Sequence, residues 1–239
     1  VEGNTFNGTG TAELRLPYGF TVTSINNVYL KEQRSTSTVN PYFGQYASSN
    51  GMVSKGHSRA WSYNYQQRVN WHQIYGKHDI EVMLGHEYYR EYGYSLSASK
   101  HNQVSVDNKE LAGAVVLDNG SSSMSEYNTE SWLSRAMYNY DNRYFASVSA
   151  MRQASSNFDK DSWWGTFWSF GGGWNIHRES WFKAKWVDEL KLKASYGENG
   201  NDGIGSYLFT KYYSISNSND NVSLTPASLG NKNITWEKN

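Results

Sequence analysis

The sequence predicts an all-β protein, and within that class an antiparallel transmembrane β-barrel segment. Three observations predict it. Apolar and polar residues alternate with period two over runs much longer than the ~5–6 residues of an ordinary strand. Aromatic residues make up 16% of a chain that is only 38% hydrophobic, with a mean hydropathy of −0.75, a mixture that arises when strands turn one face to lipid and the other to water. The connectors tend to alternate between short and long, as in a barrel with tight turns at one rim and long loops at the other. Composition alone also admits a soluble β-domain that binds sugars on aromatic platforms, and a passive porin-like barrel.

The first two candidate strands, Thr9 to Leu16 and Phe20 to Glu32, are joined by the short Pro17-Tyr18-Gly19. A long loop is expected over Gln33 to Ala60. From Ser62 to Tyr75 the odd positions carry Tyr63, Tyr65, Gln67, Val69, Trp71, Gln73 and Tyr75, while the even ones include Asn64, Gln66, Arg68, Asn70 and His72. After the turn Gly76-Lys77 the pattern reappears, with His78, Ile80, Val82, Leu84, His86, Tyr88, Tyr92 and Tyr94 on one parity and Asp79, Glu81, Glu87 and Glu91 on the other. A second long loop is expected over Ser95 to Ser131. Trp132 to Tyr140 and Tyr144 to Met151 then form another hairpin about Asp141-Asn142-Arg143. Trp163 to Ile176, Glu189 to Gly197 and Lys232 to Asn239 complete about nine barrel-type strands. His177 to Asp188 is expected to connect two of them with one helical turn over Glu179 to Trp186, and an extra hairpin strand is expected at Tyr207 to Ile215. The Ser-, Thr- and Asn-rich stretches at Ser35 to Thr38, Ser121 to Ser123 and Ser216 to Asn221 fall in the predicted long loops, where ligand contact is expected.

Charge and composition exclude several functions. The 22 basic and 22 acidic residues cancel, so no electrostatic footprint for nucleic acid exists. The absence of cysteine closes thiolate metal sites and cysteine nucleophiles. None of the six histidines stands in a metal-ligand spacing, and no Ser/His/Asp or paired-glutamate arrangement has usable spacing. The chain is therefore expected to be neither an enzyme nor a carrier of a cofactor or metal. Gly171-Gly172-Gly173 lacks the Lys-Ser/Thr of a phosphate loop and reads as a bulge or close contact inside a strand. Asp159 and Asp161 read as a solvated loop. Trp163, Trp164, Phe167, Trp168, Phe170 and Trp174 could stack sugars, but those sharing parity with Phe170 and Ile176 fit a lipid-facing girdle better.

Several ordered motifs resemble the SusC/RagA family of TonB-dependent outer-membrane transporters of Bacteroidota. They are Tyr138-Asn-Tyr-Asp-Asn-Arg-Tyr-Phe145, Arg152-Gln-Ala-Ser-Ser-Asn-Phe158, Trp164-Gly-Thr-Phe-Trp-Ser169 with Gly173-Trp174, and Leu190-Lys-Leu-Lys-Ala-Ser-Tyr-Gly197 with Gly200-Asn201. Gly230-Asn-Lys-Asn-Ile-Thr-Trp-Glu-Lys238 closes the series, and Gly76-Lys-His78 with Leu84-Gly-His-Glu87 adds a weaker match upstream. Gln153, Ala154 and Trp168 stand where the family pattern has Asp, Gly and Pro.

The resemblance implies a barrel of about 22 strands closed by a plug. It further implies energisation by TonB, a SusD-like surface lipoprotein as partner, outer-membrane lipid around the wall, and a glycan or peptide as substrate. Residues 1–239 are expected to form part of one barrel domain, with the plug and the TonB-contacting segment before residue 1. Within such a barrel, Arg68, Asn70, His72, Glu81, Glu87, Arg135 and Asn139 have the parity of lumen-facing residues.

Overall fold

The computed structural model describes the chain apart from Gln45, Tyr46, Lys185 and Asp220. Strands β1 (Glu2–Arg15), β2 (Phe20–Val39), β3 (Met52–Tyr75), β4 (His78–Gln103), β5 (Ala114–Tyr140), β6 (Tyr144–Ser155), β7 (Trp164–Asn175) and β8 (Lys191–Gly197) form an eight-stranded sheet whose spatial order follows the sequence. The printed pairings from β5 to β8 are antiparallel. Beyond β8, β9 (Gly200–Asn201) pairs with β12 (Glu237–Lys238), and β10 (Tyr212–Ser218) pairs with β11 (Asn221–Ser228) in a separate hairpin.

Contacts resolve the chain into two compact units. One comprises Val1–Thr9, Asn27–Asn64 and Arg90–Glu126. It is built from long strands where the sequence predicts loops: β2 runs on to Val39, β3 begins at Met52, β4 continues to Gln103 and β5 begins at Ala114. Ser35 to Thr38 and Ser121 to Ser123 are strand, and the connections shrink to residues 40–51 and 104–113. The physical reason lies in β5, where every residue from Val115 to Ser125 is exposed. A strand hydrated on both faces keeps its backbone ladder but has no apolar face, so the alternation that marks a strand disappears. Side-chain pairs replace it: Lys55 meets Glu110 at 2.7 Å, His57 meets Glu32 at 2.8 Å, and Arg90 meets Glu126 at 2.7 Å while lying over the Trp61 ring.

The other unit comprises Gly10–Asn26, Tyr65–Tyr89 and Tyr127–Asn239. Its hairpins follow the predicted turns. At β5–β6, Asp141 and Asn142 both take positive φ of 54°, a conformation that Asp and Asn tolerate, and Arg143 N–H donates to Tyr140 O at 2.9 Å. Pairing places Tyr138 opposite Ala146, Ala136 opposite Val148 and Val148 opposite Phe170, so outward parity is kept across strands. Gly171 to Gly173 stay in register within β7.

Three expected elements differ. The ninth expected strand is confined to its end: of Lys232 to Asn239, Glu237 and Lys238 pair with β9, and Asn239 exchanges backbone hydrogen bonds with Asn199 at 2.9 and 3.0 Å, outside the eight-stranded sheet. Ile234 and Trp236 instead turn into a hydrophobic cluster with Phe158 and Phe167, and that burial overrides the strand pattern. The predicted helical turn over Glu179 to Trp186 is not formed as a helix; a single 3-10 turn lies earlier, at Ile176–Arg178, and Lys185 falls outside the described residues. The extra hairpin exists but sits later than Tyr207 to Ile215, as β10 and β11, with Asp220 of its tip outside the described residues.

Candidate functional site

In the second unit the sheet has two chemically different faces. Cross-strand partners place Trp132, Ala136 and Tyr140 of β5, Tyr144, Val148 and Ala150 of β6, Trp168, Phe170 and Trp174 of β7, and Leu192 and Tyr196 of β8 on one face. Aromatic residues collect at its two margins. Near the short turns Tyr140, Tyr144 and Trp174 stack in a row with successive centroids 6.4 Å apart. Toward the other end Trp168 stands 5.8 Å from both Phe170 and Tyr196, and Trp164 lies under the Arg152 guanidinium at 5.1 Å. Small residues, Ala136, Ala146, Gly172 and Ala194, occupy much of the space between. The ten-residue interval from Trp164 to Trp174 corresponds to about 25 Å along the barrel axis after strand rise and tilt, the height of the apolar band of an outer-membrane barrel.

The opposite face mixes small, polar and charged residues with a few apolar ones such as Met137 and Phe145, and the seven residues singled out by sequence share its parity. Arg68 donates to Gln66 Oε1 at 2.7 Å, and Gln66 donates to Glu87 Oε1 at 3.1 Å. His72 Nε2 lies 2.7 Å from Asp79 Oδ1. Asn139 donates to Asn142 Oδ1 at 2.8 Å, so it braces the β5–β6 turn. Asn70 is half-buried in β3. Glu81 and Arg135 do not join these chains of hydrogen bonds; they line a shallow concavity of about 530 Å³ together with Asp79, Lys191 and Lys193. Its floor is made of Ser147, Gly171, Gly173 and Ser195, whose small size leaves the charged side chains standing clear. The acids lie on β4 and the lysines on β8, four strand spacings or about 19 Å apart, so the wall presents opposite charges on its two sides. Lys191 also rests 4.3 Å over the Phe145 ring. Asp79, Lys191 and Lys193 are absent from the residues selected by sequence, although the alternation Leu190-Lys-Leu-Lys already gave both lysines one parity.

Residues of the other motifs that carry the family resemblance gather in two fastenings. At the short-turn end Asp141 pairs with Lys77 at 3.0 Å and with Arg143, which also reaches Glu179 at 3.4 Å. Glu179, only 8% exposed, accepts from Tyr144 Oη at 2.7 Å and Trp174 Nε1 at 2.9 Å. The Lys77 and Arg143 bonds hold the Asp141 carboxyl below its ordinary range, and the Tyr144 and Trp174 bonds do the same for Glu179. Asp141 in return keeps the Arg143 guanidinium protonated to higher pH. At the other end Phe158, Phe167 and Trp236 form the buried cluster, with Trp236 5.2 Å from each partner ring. Its indole donates to Trp163 O at 2.9 Å, and Trp163 donates to Phe158 O at 2.8 Å. Beside it Asp202 accepts from Tyr127 at 2.7 Å and Ser155 at 2.6 Å, while Asn157 donates to the Asp202 carbonyl at 3.0 Å. The aromatic run at 163–174 is therefore split: Phe167 and Trp163 serve this cluster, and Trp164, Trp168, Phe170 and Trp174 stay on the aromatic face.

No family model matches the chain. It is 24% identical over 228 residues to TonB-dependent receptor P3 of Formosa agariphila, a match covering 89% of this chain and 23% of that protein. It is 27% identical over 220 residues to TonB-dependent receptor SusC of Bacteroides thetaiotaomicron, covering 87% of this chain and 21% of SusC. The structure superposes on a chain of the RagAB peptide transporter with a TM-score of 0.93 at 26% identity, covering 99% of this chain and 27% of that one. The chain thus spans roughly a quarter of the length of the relatives it matches. With the order of motifs, the two-faced sheet and these matches in agreement, the chain resembles a β-barrel segment of the SusC/RagA family of TonB-dependent transporters.

Proposed function

We propose that this segment forms part of the wall of an outer-membrane importer of oligosaccharides or peptides. In this reading its polar face, with Arg68, Asn70, His72, Glu81, Glu87, Arg135 and Asn139, lines the lumen. The observation that carries it is the division of one sheet into an aromatic face banded at a spacing of about 25 Å and a polar face bearing charge of both signs. Lipid accepts the first and a hydrated path requires the second. The segment supplies a rigid, charged wall and no chemistry of bond making. Residues 1–239 belong to a single barrel domain, and the plug and TonB-contacting segment expected of the family belong to the remaining length. A SusD-like lipoprotein at the outer rim would deliver the solute.

The test is uptake of labelled oligosaccharides and peptides by cells that produce the full-length transporter, with and without TonB and the paired lipoprotein. Uptake that collapses without TonB, and that Arg135→Glu or Lys193→Glu alters while barrel assembly stays normal, is expected. Uptake indifferent to TonB would point to a passive pore. Uptake indifferent to both wall substitutions would remove the polar face from the path.

A further inference from the structure

We infer that the aromatic face carries a binding site for one phosphate-bearing membrane lipid, with its phosphate on Arg152 and an acyl chain in a groove over Ser134 and Ala150. The inference goes beyond transport and uses only the placement of the sheet in a bilayer.

The groove encloses about 480 Å³ and is almost wholly apolar in surface. Its floor is the cross-strand pair Ser134 and Ala150, and the Ser134 hydroxyl donates to Ala150 O at 3.3 Å, so the floor offers no unsatisfied donor to hydrocarbon. Leu84 forms one wall, and Trp132, with the His86 ring 4.3 Å from it, forms the other. The gap arises because small side chains occupy one row while Trp132 occupies the row beside it. A bilayer fills such a gap with an acyl chain rather than leaving it empty, since unfilled volume forfeits dispersion contacts.

What makes this groove a site is the charge at its edge. Arg152 stands opposite Trp132 and Thr166 in the same cross-strand row, at the level of the aromatic margin where headgroups lie. Among the described residues no carboxylate pairs with it: its guanidinium lies over the Trp164 ring, and the neighbouring Glu130 is taken by His86 at 3.1 Å. The ring fixes the guanidinium from one side and leaves its N–H groups available to a phosphate, which Arg recognises through paired hydrogen bonds. One cation over an apolar groove that runs toward the hydrocarbon matches a phospholipid or phosphorylated glycolipid, whose charge and chain are linked in the same sense.

Native mass spectrometry of the full-length transporter, stripped of lipid in detergent and titrated with phosphatidylglycerol or with phosphate-free diacylglycerol of identical chains, tests it. One phosphatidylglycerol should be retained preferentially. Arg152→Gln should weaken that retention by about fivefold, the factor one cation is worth beside an anionic lipid, and Arg152→Lys should restore part of it. Ala150→Phe, which fills the floor, should abolish retention of either lipid at this position. Equal retention of the two lipids by the unmodified protein would overturn the phosphate assignment without any variant. Full retention by an assembled Ala150→Phe barrel would overturn the groove. Neither result bears on TonB-dependent uptake, so the two readings fail separately.

Discussion

Gly200 sits where the fold has no room for a side chain, and a single methyl there tests the packing of the buried cluster. An ideal Cβ on Gly200 would fall within clashing distance of Cζ of the Phe167 ring. Backbone strain is not the obstacle, because φ at Gly200 is not in the left-handed region. The ring cannot simply turn away. Trp236 stands 5.2 Å from it on one side, and a Cβ on Gly165, itself glycine for the same reason, would approach Trp236 Cγ to 2.9 Å. Gly200 is also held in place by pairing with Lys238 in β9–β12. Gly200→Ala must therefore push a ring that is 2% exposed or break that pairing, an overpacking cost of about 1–3 kcal/mol. The assay is unfolding of the full-length transporter in detergent, followed by loss of compact electrophoretic mobility with temperature or denaturant. The informative comparison is a double-mutant cycle with Phe167→Leu. Phe167→Leu alone removes packing against Trp236 and destabilises, but it vacates the space the new methyl needs. The double variant should be more stable than the sum of the two single effects by at least about 1 kcal/mol. Strict additivity, or Gly200→Ala that unfolds like the unmodified protein, would refute the contact between Gly200 and Phe167 as the reason glycine stands there.

The two faces are distinguished by a charge. Val148→Arg and Val82→Arg, on the aromatic parity, should block assembly at about 2–4 kcal/mol each near the midplane, whereas Ser147→Arg and Glu81→Arg, which line the open concavity, should assemble normally; equal behaviour in an assembly assay would sink the face assignment. The fastening at the short turns predicts acid sensitivity. Asp141 and Glu179 are held below their ordinary values of 3.8 and 4.5, so their contribution is complete above the unfolded values and is lost as pH falls through the lowered folded ones. Glu179→Gln should flatten that fall in an acid-unfolding curve, and an unchanged curve would remove Glu179 from the fastening. At the other end Asp202→Ala leaves the Tyr127 and Ser155 hydroxyls without their acceptor, at a cost of about 1–3 kcal/mol for the buried Ser155. Ser155→Ala combined with Asp202→Ala should recover part of that loss, measured by the same unfolding assay.

Which parts were legible in the sequence follows from where a face meets an apolar surrounding. Where one face is apolar and aromatic, as along Tyr144 to Ala150 and Trp164 to Trp174, side chains alternate, and both the strands and their shared parity are legible in the sequence. The same alternation assigns Arg68, Glu87 and Arg135 to the other parity. Lys191 and Lys193 were missed as site residues because parity sorts residues by face but not by strand order, and only the adjacency of β7 and β8 brings them to the floor beside Ser147. From Val115 to Ser125 both faces are exposed, no alternation is imposed, and Ser- and Asn-rich sequence reads as loop although the ladder continues.

The segment from Gly200 to Trp236 fails in the opposite way. Its Ile234 and Trp236 have strand spacing, but what they satisfy is a cavity bounded by Phe158 and Phe167, far away in sequence. Nothing local announces such a cavity. The same holds for Asp202, whose partners Tyr127 and Ser155 come from β5 and β6. Motif residues Asp141 and Arg143, with Glu179, and Phe158, Phe167 and Trp236 therefore encode fastenings, whereas the Leu190 to Gly197 motif brings Lys191 and Lys193 to the charged face. The residues that hold strand ends and return segments in place are fixed by packing and hydrogen bonding, while Asp79, Glu81, Arg135, Lys191 and Lys193 rise from a floor of Ser and Gly that makes few demands on their identity. Substitution of those five can change what the wall attracts without loosening the sheet that carries them.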